Sequence, residues 1–301
     1  MDLESRMKNY ENKYNQSVKP YDPFVLKLDG VTFSTYTQGF IKPFDKVFRK
    51  SMKETMNDLL KYTNASTGYT QSDEIILIFP PVCTKEEYDN KKNIVHLRNG
   101  RVLKLCSVIA SYCSTTFYLN IQKNNNASDI KDLNNEKVIK RLEKTPPCFD
   151  CRLIDFESTK HDVDDSHKSP TIYPQMYEII NYLIHRLYDC KRNAILSYGE
   201  HYYDKKQILK IKTPILLEKL HSNNINIPNF ILYGVYGKKQ LYMKDNTQRS
   251  KITNKVLDFT YSIELLDLFF SKYWYNNIND TNDTLNEKYK IQVQEIDADT
   301  I

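Results

Sequence analysis

Residues 66–79 read "STGYTQSDEIILIF", and how they are read decides the fold. A short strand, a polar turn at Gln71–Glu74 and an aliphatic run at Ile75–Phe79 predict a hairpin whose second strand is buried. Ahead of it, Val47, Phe48, Met52, Met56, Leu59 and Leu60 recur at helical spacing, which predicts a helix from about Asp45 to Tyr62. Pro43 sits just before that helix, where proline suits a helix start. Further upstream "PFVLKLDG" (23–30) reads as a strand over Pro23–Leu28, closed by a carboxylate and a glycine. Beyond the hairpin, Leu105, Cys106, Ile109, Cys113 and Phe117 mark a second helix over about Val102–Tyr118, and "CFDCRLIDF" (148–156) returns as a strand. The order β-α-β-β-α-β predicts an α+β, ferredoxin-like antiparallel sheet with both helices on one face. RNA-recognition modules and polymerase palms share this arrangement, so the fold alone does not name a function.

Residues 1–240 are expected to form this palm-like domain, with polar insertions near 122–145, expected to be mobile, and 157–171, a loop. A helix over Pro174–Ile195, short helices around Lys205–Leu209 and Pro214–His221, and a strand in "FILYGVY" (230–236) complete it. Residues 241–301 are expected to be a C-terminal helical extension. It has a docking helix in "SIELLDLFFSKYW" (262–274) and disorder in "NNINDTNDTLNEKYK" (276–290).

Of the 301 residues, 40% are hydrophobic and 27% charged, as in an ordinary globular protein. The first residues lack the apolar core of a signal peptide, and no apolar stretch is expected to span a bilayer. These features predict a soluble, intracellular, cytoplasmic protein, with mitochondrial import as the alternative. Six cysteines form no disulfide framework. The lone CxxC, Cys148 and Cys151, lacks a second ligand pair, since His161 and His167 fall in a polar loop, so reduced thiols are the better expectation. Net charge is +5, but "KKNIVHLRNGRVLKL" (91–105) is nearly all basic or apolar. That suits either a polyanion or a solvated basic face.

In such a sheet Asp29, ending the first strand, approaches Asp73 in the hairpin turn. Two carboxylates at that distance repel, and Mg²⁺ removes the conflict while binding substrate phosphates. Gly30, without a Cβ, could bring its carbonyl to the same ion; two unrelated turn acids are the alternative reading. Lys42 precedes a helix N-terminus, and Arg101, Lys104, Ser107 and Ser111 follow one helix face. These donors suit a triphosphate. Together with the carboxylates they outline a nucleotide site.

The blocks "KLDGVTFSTYTQGFIKPFD" (27–45), "GYTQSDEIILIF" (68–79), "RVLKLCSVIASYCSTTF" (101–117), "PPCFDCRLI" (146–154), "HRLYDCKRNAILSYG" (185–199) and "NINIPNFILYG" (224–234) occur in order. In that order the chain resembles the tRNA-His guanylyltransferase superfamily, palm-fold enzymes that add nucleotides to RNA 5′ ends. The resemblance implies Asp29, the Gly30 carbonyl and Asp73 as ligands of two Mg²⁺ ions, with Glu74 completing a catalytic acidic turn. It implies Lys42, Asp45 and Ser72 near nucleotide phosphates and Arg101 and Lys104 near a triphosphate, where Ser107 on the same helix face is expected to join them. Arg186, Lys191, Arg192 and Asn193, beside Asp189, fall in the block that supports RNA binding. It further implies ATP, GTP and other nucleoside triphosphates as substrates, tRNA as partner, and a homotetramer.

Two departures bear on the reading. "DCKRNA" (189–194) has Lys191 where the strict guanylyltransferase branch carries His, and so resembles the branch that repairs truncated tRNA 5′ ends. Lys27 and Val31 stand where arginines are usual. The implied function is templated 3′-to-5′ nucleotide addition to tRNA. Strict tRNA-His guanylation, a nucleotide cyclase and a non-catalytic RNA-binding module are the alternatives.

Overall fold

A computed structural model of the protein describes residues 2–91, 93–127, 136–156, 174–275 and 277–296. Its strands are β1 (Phe24–Gly30), β2 (Thr67–Gln71), β3 (Glu74–Phe79), β4 (Phe149–Asp155), β5 (Val235–Lys244), β6 (Thr247–Asp258) and β7 (Gln292–Glu295). They form one sheet in the order β4-β1-β3-β2-β5-β6-β7, with every neighbouring pair antiparallel. The first four strands are the expected ferredoxin-like core. The helices are α1 (Leu3–Glu11), α2 (Phe33–Tyr36), α3 (Lys46–Thr63), α4 (Lys85–Asn90), α5 (Val102–Ala127), α6 (Glu136–Lys144), α7 (Pro174–Tyr202), α8 (Lys205–Ile208), α9 (Thr213–Ser222), α10 (Asn229–Leu232), α11 (Leu265–Phe270) and α12 (Asn282–Tyr289).

Alternation along β1 explains the layering. Phe24, Leu26 and Leu28 point to one face and pack with Met52, Met56, Leu59, Ile109, Cys113 and Phe117 of α3 and α5. Val25 points to the other face and packs with Ile76, Ile78 and residues of α7 and α11, including Ile179, Leu183 and Leu268. So α3 and α5 share one face as expected, and α7 and α11 cover the opposite one.

Four expectations need correction. The polar stretch 122–145 is largely helical: α5 runs on past Tyr118 because Ile121 continues its buried stripe, and α6 buries Val138 and Leu142. Residues 128–135 lie outside the described residues, as do the 157–171 insertion and its His161 and His167. The domain limit at 240 cuts through β5, and the extension is neither chiefly helical nor disordered over 277–290. Its β6 and β7 widen the sheet, while Leu285, Tyr289 and Ile291 bury themselves against the α7–α11 face. The strand expected in "FILYGVY" starts only at Val235, because Phe230–Leu232 lie in α10. Finally, α5 is long and apolar enough by length and composition to cross a membrane, since none of residues 105–122 is charged. Here Leu105, Ile109, Cys113, Phe117 and Ile121 lie fully buried against the sheet.

Candidate active site

The registers of β1 set the site. Asp29 lies opposite Glu74 on β3 and opposite Asp150 on β4, so three carboxylates share one row on the α7 face. The Gly30 amide donates to the Asp73 carbonyl at 3.1 Å, which fastens the end of β1 to the hairpin turn. Ser72 occupies that turn in the left-handed region, with φ of 53°. Burial, followed by the charges of Asp29 and Glu74, pushes the Asp73 carboxyl above the ordinary aspartate range. Asp29 and Asp73 are thus brought together and repel, as the sequence predicts.

Gly30 has a second reason to be glycine. A Cβ there would lie 2.3 Å from the Phe33 ring, which packs on Phe117 and Phe149. Close packing under the loop after β1 demands the missing side chain whether or not an ion is bound.

Cations answer the acids. Lys27, one pleat below Asp29 on the same face, pairs with Glu74 at 2.8 Å and with Asp29 at 3.2 Å. Burial lowers its pKa, but these two carboxylates outweigh burial and hold it raised. Arg186 of α7 pairs with the other Glu74 oxygen at 2.6 Å and with Asp189 at 3.2 Å. Both Glu74 oxygens are therefore engaged, and Arg186 is held between two acids rather than presented to solvent. Glu74, expected to be catalytic, and Arg186, expected to bind RNA, are here each engaged by two partners of opposite charge. Arg192 pairs with Asp189 at 2.6 Å yet stays exposed, as does Asn193. The Lys191 ammonium sits 5.1 Å from the Tyr233 ring.

A cavity of about 270 Å³ opens beside the turn, lined by Phe33, Lys42, Asp45, Ser72, Asp73 and Ser197 among others. Four residues predicted from the sequence meet there, and Ser197 joins them from α7. Asp45 has a structural duty as well: its carboxylate caps α3, accepting from the Phe48 amide at 2.8 Å and the Ile41 amide at 3.2 Å. That carboxylate already occupies the helix N-terminus expected to favour phosphate. Lys42 supplies positive charge at the cavity wall. A smaller adjoining cavity of about 40 Å³ shares Phe44 and Ser72 and adds Arg49, whose guanidinium lies 4.9 Å from the Phe230 ring.

Arg101, Lys104 and Ser107 do not join this cluster. Arg101 bridges to Ser17, and the segment leading into α5 packs at the Phe24 end of β1, where His96 meets the Phe24 ring at 5.0 Å. Asp29 ends the same strand at its other tip. A helix that follows β3 must start where β3 ends, so these residues open α5 at the far end of the sheet. Ser107 lines a groove between α3 and α5 with Tyr62 and Tyr112. Asp150, Ser197 and Arg49 are site residues that the sequence reading misses. The register of β4 against β1 would have found Asp150, which pairs with Arg152 at 2.9 Å.

The donor set fits a hard divalent cation. Two carboxylates whose mutual repulsion is not fully answered, with a backbone carbonyl nearby, leave coordination positions for phosphate oxygens. Among the described residues no group of three or more His, Cys, Asp or Glu side chains is arranged to hold a metal by itself. All six cysteines are free.

Residues 4–157 match the family model described as tRNAHis guanylyltransferase (Thg1). Uncharacterized protein R259 of Acanthamoeba polyphaga mimivirus is 35% identical over 280 residues, 89% of each chain. Among solved structures, a bacterial Thg1-like protein in complex with ATP superposes with a TM-score of 0.62 at 23% identity, covering 84% of this chain and 91% of its own. The tRNA(His) guanylyltransferase of Saccharomyces cerevisiae superposes with a TM-score of 0.54 at 19% identity, over 80% and 93%. At these identities the two structures establish the shared fold.

Proposed function

Because this chain belongs to the tRNAHis guanylyltransferase family, and is therefore a nucleotidyltransferase, we propose that it adds nucleotides to the 5′ end of tRNA in the 3′-to-5′ direction, as in 5′-end repair. The observation that carries the reading is the closeness of Asp29 to Asp73, whose charge it raises in cost, beside a cavity lined by Lys42 and Ser72. A bacterial relative of the same fold is known in complex with ATP and with GTP, which supports nucleoside triphosphates as occupants of such a cavity.

Asp29, Asp73 and the Gly30 carbonyl would hold Mg²⁺. When bound, the metal would supply Lewis-acid polarisation of an attacking hydroxyl and neutralisation of a leaving phosphate. The chain's own residues position the reactants. Lys42 and the Ser72 hydroxyl bind triphosphate oxygens. Lys27 and Arg186 clamp Glu74 and hold the β3 end of the turn in place. The row of carboxylates keeps the site empty of competing anions until a metal-bound triphosphate enters. The 3′-hydroxyl of the incoming nucleotide then attacks the 5′ α-phosphorus of an RNA end activated by adenylylation or already a triphosphate, forming the phosphodiester, expelling AMP or pyrophosphate respectively and releasing its proton to solvent. No side-chain nucleophile is needed for that displacement. Lys191, in the "DCKRNA" stretch, favours repair over strict guanylation of tRNA-His, with the base chosen by pairing to the opposite strand of the acceptor stem.

The test compares substrates: tRNA-His and several 5′-truncated tRNAs, each given Mg²⁺, ATP and all four labelled nucleoside triphosphates. Repair predicts restoration of the missing nucleotides on any truncated tRNA. Addition of a single G to tRNA-His alone would show strict guanylation instead.

A further inference from the structure

The β5–β6 hairpin outruns its neighbours. β5 bonds to β2 only over Val235–Gly237, and β6 bonds to β7 only over Lys255–Asp258. The β5–β6 ladder nevertheless continues from Lys238↔Thr253 to Lys244↔Thr247. The two-residue turn, Asp245–Asn246, holds both residues at positive φ (51° and 55°), the backbone twist that tight hairpins favour. The result is a two-stranded ribbon whose outer edges are unpaired beyond Lys239, which bridges Tyr273, and whose distal half is exposed. Such a ribbon is marginal alone in water and invites edge pairing unless charged or covered.

Its charge is one-sided. Lys239, Lys244, Arg249 and Lys251 stand against Asp245 alone. Lys244, Arg249 and Lys251 form no ion pair among the described residues. The register places Tyr242 opposite Arg249 and Gln240 opposite Lys251, so one face presents two cations around an aromatic ring. The Lys251 ammonium lies 5.7 Å from the Tyr242 ring. Cations interleaved with an aromatic and hydrogen-bonding side chains suit a nucleic-acid backbone.

We infer that this ribbon is an arm that grips the phosphate backbone of the RNA whose 5′ end lies at Asp29 and Asp73; the inference rests on the tRNA reading above. Val235 is level with Thr70, just below the active-site turn, and β5 runs away from it. Nine residues at ~3.3 Å each put Lys244 about 30 Å along the sheet from that level. The basic opening of α5, with Arg101 and the exposed Lys104, lies at the same end. The arm therefore meets the body of a folded RNA, and an RNA too short to span that separation cannot reach it.

The experiment measures binding of full-length tRNA and of a short 5′-phosphorylated minihelix across a salt series, for wild type and for Lys244→Gln/Arg249→Gln/Lys251→Gln. Each phosphate that the protein ceases to neutralise takes about 0.7–0.9 off the slope of log affinity against log salt. The variant is expected to lose about two to three in slope with full-length tRNA and nothing with the minihelix, while ATP binding stays at the wild-type level. Arg249→Lys is expected to keep the wild-type slope. An unchanged slope with full-length tRNA overturns the inference. A variant that instead falls apart from a dimer to a monomer on sedimentation also overturns it, because the ribbon then binds a second copy. Wild type that binds tRNA with a variant-sensitive slope but adds no nucleotide leaves the arm standing and refutes the proposed reaction. Addition with an insensitive slope does the reverse.

Discussion

Asp73 is held in its least comfortable state when its carboxyl is charged and no cation is near. A carboxyl whose folded pKa lies above its unfolded value takes up its proton more readily when folded, so its contribution to stability falls as pH rises through that interval. At neutral pH the folded protein therefore carries the full cost. Asp73→Asn is expected to raise the melting temperature in the absence of divalent ions at pH 7, and the gain should vanish below the ordinary aspartate pKa. Thermal unfolding at the two pH values checks this; a melting temperature lowered at pH 7 would mean that the carboxylate is already well solvated. Gly30 is expected to be equally exacting for a steric reason. Gly30→Ala drives a methyl into the Phe33 ring and should cost about 1–3 kcal/mol, as overpacking does. Urea unfolding at saturating Mg²⁺ reads it, and an unaffected midpoint would show that the loop after β1 moves freely.

At the scale of elements, Arg186 on α7 and Lys27 on β1 both bind Glu74, so one helix and two strands share a single carboxylate. Arg186→Met leaves Glu74 and Asp189 short of a partner in a largely buried place. It should destabilise the protein by about 1–3 kcal/mol, with much of that recovered by adding Glu74→Gln. Denaturant midpoints of the single and double variants test it; strictly additive losses would show no coupling between the two side chains. The elements are also where the sequence is most legible. The 3.6-residue period of α3 and the aliphatic run of β3 place the core strands, and Asp29 and Asp73 follow from the strand order. Asp150 escapes because the partner of a strand is not written in the strand itself. Arg101 and Lys104 suit the site by type and spacing, although a helix that follows β3 has to begin at the opposite end. The β5–β6 hairpin escapes because its turn pair is Asp-Asn and its tip sets Leu241 and Met243 against Ser250 and Gln248, so no matched apolar face marks the strands.

For the whole molecule, residues 241–296 complete the sheet and close the α7 face. Trp274, fully enclosed, has the ammonium groups of Lys238 and Lys255 within 5.8 Å of its ring. Lys238 is wholly buried and donates to the carbonyls of Leu268 and Ser271. Burial draws its pKa down to about 7. The unfolded chain then binds more protons than the folded one between pH 7 and the ordinary lysine value, so stability rises with pH across that window. Lys238→Met is expected to flatten that rise. Denaturant curves at pH 7 and pH 9 compare the two proteins, and identical pH dependences would exclude Lys238 as the source. By composition the C-terminal region reads as an appendix because its charged residues hide a sparse apolar set, Leu285, Tyr289 and Ile291, that is buried only once the sheet exists.

The proposed reaction rests on Asp29 and Asp73 acting together on the 5′ end of RNA. The direct measurement gives wild type, Asp29→Asn and Asp73→Asn a 5′-truncated tRNA with Mg²⁺, ATP and labelled nucleoside triphosphates, and maps the label by nuclease digestion. A site built on the two carboxylates predicts label at the 5′ terminus with wild type, a loss of at least about a thousandfold with either variant, and tRNA affinity within a few-fold throughout. Label retained by both variants, or incorporated at the 3′ terminus, would contradict it.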